Sequence, residues 1–263
     1  MYWVLQNNIF EEEGFGRLLE SVQSRRLRHS VHKVIPFVGD LVPEPVVDSG
    51  EKVIVMGSYS MANYARRMNW TPGAFVSDNL DYEVQCSPAA WGESMFNHDA
   101  FVTEFGNVPE QEVPFFIRPV GDTKAFPGQI MDWPGLQEWQ SRIAVLTPDD
   151  DPTLSMSTRV VVSQVREILQ ETRTWIVDRK VVTASVYNAG QPRAKKRYHA
   201  DVDLGALKYA RICAERWSPD RAFVLDVFTG KDGYRVGEAN SFNSAGFYAA
   251  DTDKIVYAIE RMA

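Results

Sequence analysis

The chain has 263 residues, 44% hydrophobic, 12% aromatic and 24% charged, enough apolar material for one domain or two closely joined ones. A net charge of −7 argues against a general nucleic-acid or membrane surface, because attraction to phosphate needs excess positive charge. Only Cys86 and Cys213 are present, far apart, so neither a disulfide framework nor a cysteine zinc site is supported, and a reducing, cytoplasmic setting is expected.

The opening MYWVLQNNIFEEEG lacks a charged start followed by a long apolar stretch, and no later run approaches the roughly 18 residues of a membrane span. A soluble, unprocessed protein is expected. Residues 2–5, 33–38, 52–56 and 74–76 read as short strands, with helical patterns at 14–28 and 60–68 between them. That alternation predicts an α/β unit over residues 1–90, with helices on a mainly parallel sheet. Gly57 to Ser60, after the strand KVIVM, reads either as an anion-binding helix N-terminus or as an ordinary capped turn.

Residues 87–107 are expected to be helical and to join this unit to the rest. Beyond them 113–118, 142–146, 159–165, 172–178, 180–187, 222–228 and 234–239 read as strands, and 147–157 as an exposed loop. One strong helix spans 201–217, with Asp201 or Asp203 as its N-cap. This half has an α+β pattern of antiparallel sheets with a few helices. The four histidines have no metal-like spacing, and His29 and His32 are expected at the surface near Arg28 and Lys33. The basic run Arg193, Lys195, Lys196 and Arg197 reads as a solvated loop or as one that closes over a substrate.

The chemistry concentrates near the end. AFVLDVF and YRVGEA flank TGKDG, an antiparallel hairpin turning near Lys231 to Gly233; a three-residue loop would set Asp226 opposite Glu238. Glu238 and Asn240, two apart on a strand, project to the same face. Two carboxylates facing each other on apolar strands repel and resist desolvation, and a hard divalent cation such as Mg²⁺ would relieve both costs. The alternative is a hairpin whose polar face simply meets water. Arg118, closing an apolar strand, and Lys124, after a Gly121-Asp122-Thr123 turn, suit phosphate oxygens, or else are a solvated strand-end arginine and a loop lysine. Arg173 is a third cation, which pairs either with a ligand or with Glu171 or Glu167.

In that order, IRPVGDTKAF, VVVSQVREILQETRTWIVDRKVVTASVY, FVLDV and VGEANSFNSAGFY resemble an ATP-grasp domain, particularly the clade named for two arginines and one lysine. The resemblance implies a pre-ATP-grasp-like α/β domain at 1–90 and an α+β ATP-grasp domain at 91–263, its lobes roughly 91–160 and 161–263. It implies that Arg118 and Lys124 contact ATP phosphates, that Ser163, Gln164 and Val165 face adenine, and that Arg173 serves the transferred phosphate or the acceptor. Asp226, Glu238 and Asn240 would hold Mg²⁺. Arg118 stands where many such enzymes have lysine, and the usual glycine-rich loop is reduced to GDTKAFPG. The implied activity is ligation of a small-molecule or peptide carboxylate to an amine or thiol through an acylphosphate. A non-catalytic ATP-binding module and a phosphotransferase remain the alternatives.

Overall fold

The computed structural model describes residues 1–7, 13–78, 80–121, 125–146, 153–188, 199–243 and 245–262. The chain forms two compact units, one of residues 1–78 with 168–263 and one of residues 79–167.

The larger unit opens on β1 (Tyr2–Gln6), α1 (Glu13–Ser24), β2 (His29–Val34), β3 (Leu41–Val42), β4 (Val53–Met56), α2 (Tyr59–Arg67) and β5 (Pro72–Gly73). Its five-stranded sheet has the order β3-β2-β1-β4-β5, parallel except where β2 meets β3. β1 from Tyr2 to Leu5 and all of β4 are apolar because both faces are covered. Trp3, Leu5, Ile54 and Met56 enter one buried cluster, whereas Val4, Val53 and Val55 enter another beneath α2.

The first of those clusters also contains Trp175, Val177, Ala222, Val224, Phe242, Ile255 and Ile259. The N-terminal segment therefore shares a core with the C-terminal one, and the divisions between the two compact units fall at 78/79 and 167/168. The remaining elements of this unit are β10 (Gln170–Val177), β11 (Lys180–Asn188), α5 (Leu204–Arg216), β12 (Ala222–Gly230), β13 (Gly233–Ser241) and α6 (Thr252–Glu260). They build an antiparallel sheet of order β11-β10-β12-β13, with α5 on one face through buried Ala206, Ala210, Cys213 and Ala214. Small residues on that helix face let the helix lie close to the strands. Asp203 caps α5, its side chain accepting from the Gly205 amide at 3.0 Å.

The smaller unit contains α3 (Tyr82–Cys86), β6 (Phe101–Glu104), β7 (Phe115–Pro119), β8 (Gln129–Met131), α4 (Trp133–Ile143) and β9 (Arg159–Gln164). Its sheet is antiparallel in the order β6-β9-β7-β8, and Phe115, Ile117, Val160 and Val162 point into a core completed by Phe105, Phe126 and Leu136.

Several local expectations change. Residues 36–38 form a turn, and the fifth strand is Pro72–Gly73 instead of 74–76. Residues 87–107 hold two short 3-10 turns and β6 instead of a continuous helix. Of RIAVL, Arg142 and Ile143 end α4, which starts on the Asp132 cap with proline in its first turn; Ala144 is its C-cap, and Val145 and Leu146 follow it exposed, in no strand. His32 is buried, its Nδ1 at 2.5 Å from the Pro43 carbonyl and its Nε2 at 2.5 Å from Ser30 Oγ. Residues 147–152 and the basic run 193–197 lie outside the described residues.

Candidate functional site

The hairpin of β12 and β13 sets Asp226 opposite Glu238, by a route different from the expected three-residue loop. Gly230 pairs with Gly233, so the turn is the two residues Lys231 and Asp232. A regular ladder from that turn would place Gly237 opposite Asp226. A β-bulge intervenes: Val227 pairs with Val236 and Asp226 with Glu238, leaving Gly237 as the extra residue. The bulge sends Val236 to the α5 face and Glu238 to the other, although they are two apart. A Cβ on Gly237 would fall 2.4 Å from the Phe228 ring, which is why a glycine sits there.

The face carrying Glu238 is the core face. Along it Trp175, Val177, Ala222, Val224 and Phe242 are buried against the N-terminal sheet, and the polar groups Arg173, Asp226, Glu238 and Asn240 continue the same rows. Asn240 Nδ2 donates to Asp226 Oδ2 at 3.2 Å and to Glu238 Oε1 at 3.1 Å. Two carboxylate oxygens thus face one point. Turning the carboxamide over would present its Oδ1 to the same point, giving three oxygen donors of the kind a hard cation takes. The donor set fits Mg²⁺. The set is two carboxylates and one carboxamide; among the described residues no three His, Cys, Asp or Glu side chains gather into a metal-binding group, here or elsewhere.

Arg173, opposite Asp226 on β10, grips it with two hydrogen bonds, Nε to Oδ1 at 2.9 Å and an amino nitrogen to Oδ2 at 2.7 Å. Both side chains are nearly buried, at 11% and 8% exposed, so this pair is little screened by solvent. The salt-bridge partner of Arg173 is therefore Asp226, in place of the Glu171 or Glu167 weighed from the sequence. Burial works to lower the guanidinium's proton affinity, but the charge and hydrogen bonds of Asp226, with Tyr248 and Glu238 behind them, raise it above the ordinary arginine range. Arg173 also lies over the rings of Tyr187 and Tyr248, 5.2 Å from each centroid. Burial raises the Tyr248 phenol above its ordinary value, so it stays protonated beside the cation. Sequence reasoning misses Tyr248; its backbone has φ +47°, and Arg17 of α1 holds its carbonyl. A tyrosine in GFY carries no signal of that role.

Asn243, in the same SFNSAGFY stretch, proves to be a tie. Its amide donates to the Val55 carbonyl at 2.8 Å, and its Oδ1 accepts from the Phe75 amide at 3.2 Å. At Gly57, the Ser58 amide is taken by Gln6 Oε1 at 2.8 Å and Ser58 makes no side-chain cap. The Ser58 amide is thus occupied within the chain, and Ser58 caps α2 by its backbone position and not by its side chain.

In the smaller unit Arg118 and Ser163 share the sheet face opposite to the core, through the register pairs Arg118 with Val161 and Phe116 with Ser163. Arg118 lies 5.7 Å from the centroid of Tyr82, and no carboxylate pairs with it among the described residues. Ser163 Oγ is buried without a hydrogen-bond partner, whereas Gln164 and Val165 are exposed. Lys124 lies outside the described residues.

A family model for an ATP-grasp domain, the third family of the clade named for two arginines and one lysine, matches residues 34–259. The chain belongs to this ATP-grasp family. The match runs through both compact units and takes in most of the N-terminal segment. No curated protein sequence matches significantly. Among solved structures, the ATP-grasp ligase PsnB complexed with minimal precursor is 15% identical, with 98% of each chain covered and a TM-score of 0.59. D-alanine–D-alanine ligase from Bacillus anthracis is 11% identical over 98% of this chain and 92% of its own, at a TM-score of 0.55. A RimK domain protein from Sphaerobacter thermophilus is 15% identical over 91% of both chains, at 0.54. At such identities the likeness concerns the ATP-grasp fold. Both PsnB with Mg and ADP and the Bacillus ligase with ATP are among the similar structures. Among the described residues of this ATP-grasp chain no helix is long and apolar enough to cross a membrane.

Proposed function

We propose that this chain is a cytoplasmic, ATP- and Mg²⁺-dependent ligase that joins a carboxylate to an amine or thiol through an acylphosphate, releasing ADP and phosphate. The observation that carries the reading is the convergence of Asp226, Glu238 and Asn240 on one point beside Arg173. Those three residues would hold the cation, whose chemistry is to neutralise polyphosphate charge and orient it. Arg118, without a carboxylate partner among the described residues, and Lys124 would meet phosphate oxygens. The unpartnered Ser163 hydroxyl supports a ligand at the end of β9, where Ser163, Gln164 and Val165 would face adenine. Residues 1–90 would act as the pre-ATP-grasp segment and 91–263 as the nucleotide-binding part.

In this reading a substrate carboxylate oxygen attacks the terminal phosphorus of ATP, ADP leaves, and a mixed anhydride forms. The amine or thiol then attacks the acyl carbon, expels inorganic phosphate and gives up its proton to solvent. Arg173, held by Asp226 and the two tyrosines, presents a fixed positive charge where the transferring phosphoryl group gathers negative charge. No side-chain nucleophile is required.

Hydroxylamine tests the reading without knowledge of the acceptor. With ATP, Mg²⁺ and a panel of amino acids, dicarboxylates and peptides, a ligase forms a hydroxamate and releases ADP in equal amounts. PsnB is crystallised with a precursor peptide, which is why the panel includes peptides. A stable phosphate ester would indicate a phosphotransferase. Tight ATP binding with no turnover across the panel would favour a binding module.

A further inference from the structure

Away from the nucleotide site, between α5 and the edge strand β11, lies an open groove of about 470 Å³. One wall is the turn joining β10 to β11, with Arg179 and Lys180; the other is α5, with Lys208 and Arg211; Val181 and Leu207 supply the apolar floor. On a chain of net charge −7 these four cations are a local inversion of sign. Neighbouring carboxylates do not cancel it. Asp178, beside Arg179 in the turn, is gripped by Arg221 at 2.8 and 2.9 Å. Glu215, the one acid in the groove, is 3.8 Å from Arg211, and both are more than half exposed. Among the described residues no carboxylate pairs with Arg179, Lys180 or Lys208. The turn is tight, with Val177 paired to Lys180 and positive φ at Asp178 and Arg179, so the backbone that carries the two cations is fixed.

We propose that this groove docks an extended, acidic peptide segment of a partner chain, with carboxylates alternating with apolar side chains. A small anion would want cations converging on one point. Here they stand on two walls with an apolar floor between, and Lys208 and Arg211 are three apart, about 5–6 Å at Cβ on a helix. Carboxylates spaced along a chain match that arrangement, and Val181 and Leu207, with Ile212 half exposed nearby, receive the apolar side chains. The extended form has a physical source. β11 is an edge strand, and apart from Val186, which pairs with His199, no described residue pairs with its outer side. A peptide beside Lys180 and Val181 can add main-chain hydrogen bonds there. None of these residues belongs to the Asp226 cluster, so the inference does not rest on the ligase reading.

Fluorescence anisotropy with a labelled peptide of alternating glutamate and valine tests it on the full chain. The peptide should bind, more weakly as salt rises, while an alternating lysine–valine peptide should not. Lys208→Glu with Arg211→Glu should raise Kd about tenfold or more, because like charge replaces attraction. Both side chains are exposed, so the melting temperature should hold, and Lys208→Ala alone gives a milder check on the same position. Nucleotide binding should be unchanged. The proposal fails if the acidic peptide does not bind, if the basic peptide binds equally, or if the charge reversal leaves Kd unchanged. It also fails if inorganic phosphate displaces the peptide at low concentration, which would mark a small-anion site.

Discussion

Replacing Arg173 by methionine should destabilise the larger unit markedly, although no core volume is lost. The reason is the charge left behind. Asp226 is buried, takes two hydrogen bonds from Arg173 and faces Glu238, so without the guanidinium two carboxylates confront each other with little solvent to screen them. Breaking a buried pair from one side costs about 3–5 kcal/mol. The stacking on Tyr187 and Tyr248 adds on the order of 1 kcal/mol for each ring. At about 2 °C per kcal/mol for a chain of this size, the melting temperature should fall by roughly 10–14 °C. Arg173→Met with Asp226→Leu removes both charges and should recover at least half of that loss, since an apolar pair of similar volume is often no worse than an ion pair. The assay is thermal unfolding followed by tryptophan fluorescence, with Trp3 and Trp175 reporting from the shared core. A shift below about 2 °C in the single variant, or a double variant as unstable as the single, would refute the reasoning.

Asn243→Ala should cost about 2–5 kcal/mol, because it strands the Val55 carbonyl and the Phe75 amide in the core; a melting temperature within error of wild type would contradict this. Arg118→Ala should weaken ATP and ADP binding more than adenosine binding in calorimetry, and equal losses would remove Arg118 from the phosphates. Burial pushes the His32 ring below the ordinary histidine value, against the opposing hydrogen bond to Pro43. The folded state therefore resists a proton that the unfolded chain accepts. This contribution is fully present above about pH 6.5 and is lost as pH falls through the folded value. His32→Gln should flatten the fall in melting temperature between about pH 7.5 and 5.5, and an unchanged slope would assign that fall to other groups.

The apolar runs of β1, β4 and β12 are legible because burial on both faces writes itself into four consecutive residues. Asp226 stands out for the complementary reason, as a charge inside such a run. The Asp226–Glu238 pairing is also readable, but from a wrong turn: a two-residue loop and a bulge at Gly237 together give the register that a three-residue loop would have given. Loop length and bulge trade off residue for residue, so their combined register leaves no separate trace in sequence. The shared core of residues 1–78 and 168–263 is hidden because it is made by contacts such as Trp3 Nε1 to Glu260 at 2.6 Å, far apart along the chain. The tyrosine pair around Arg173 is hidden likewise. Tyr187 sits in an ordinary β strand and Tyr248 in a loop, and only the fold brings them to one guanidinium. RIAVL misleads because five residues cannot separate a helix end from a buried strand.

The metal site can be tested most directly by titrating Mn²⁺, a paramagnetic stand-in for Mg²⁺, into the protein with a non-hydrolysable ATP analogue and following free Mn²⁺ by electron paramagnetic resonance. Wild type should take up the ion at a nucleotide-dependent site. Glu238→Ala and Asn240→Ala, at partly exposed positions that carry no core volume, should keep the wild-type fold by circular dichroism and lose that uptake. Unchanged uptake in either variant would contradict the assignment of Asp226, Glu238 and Asn240 as the cation's ligands.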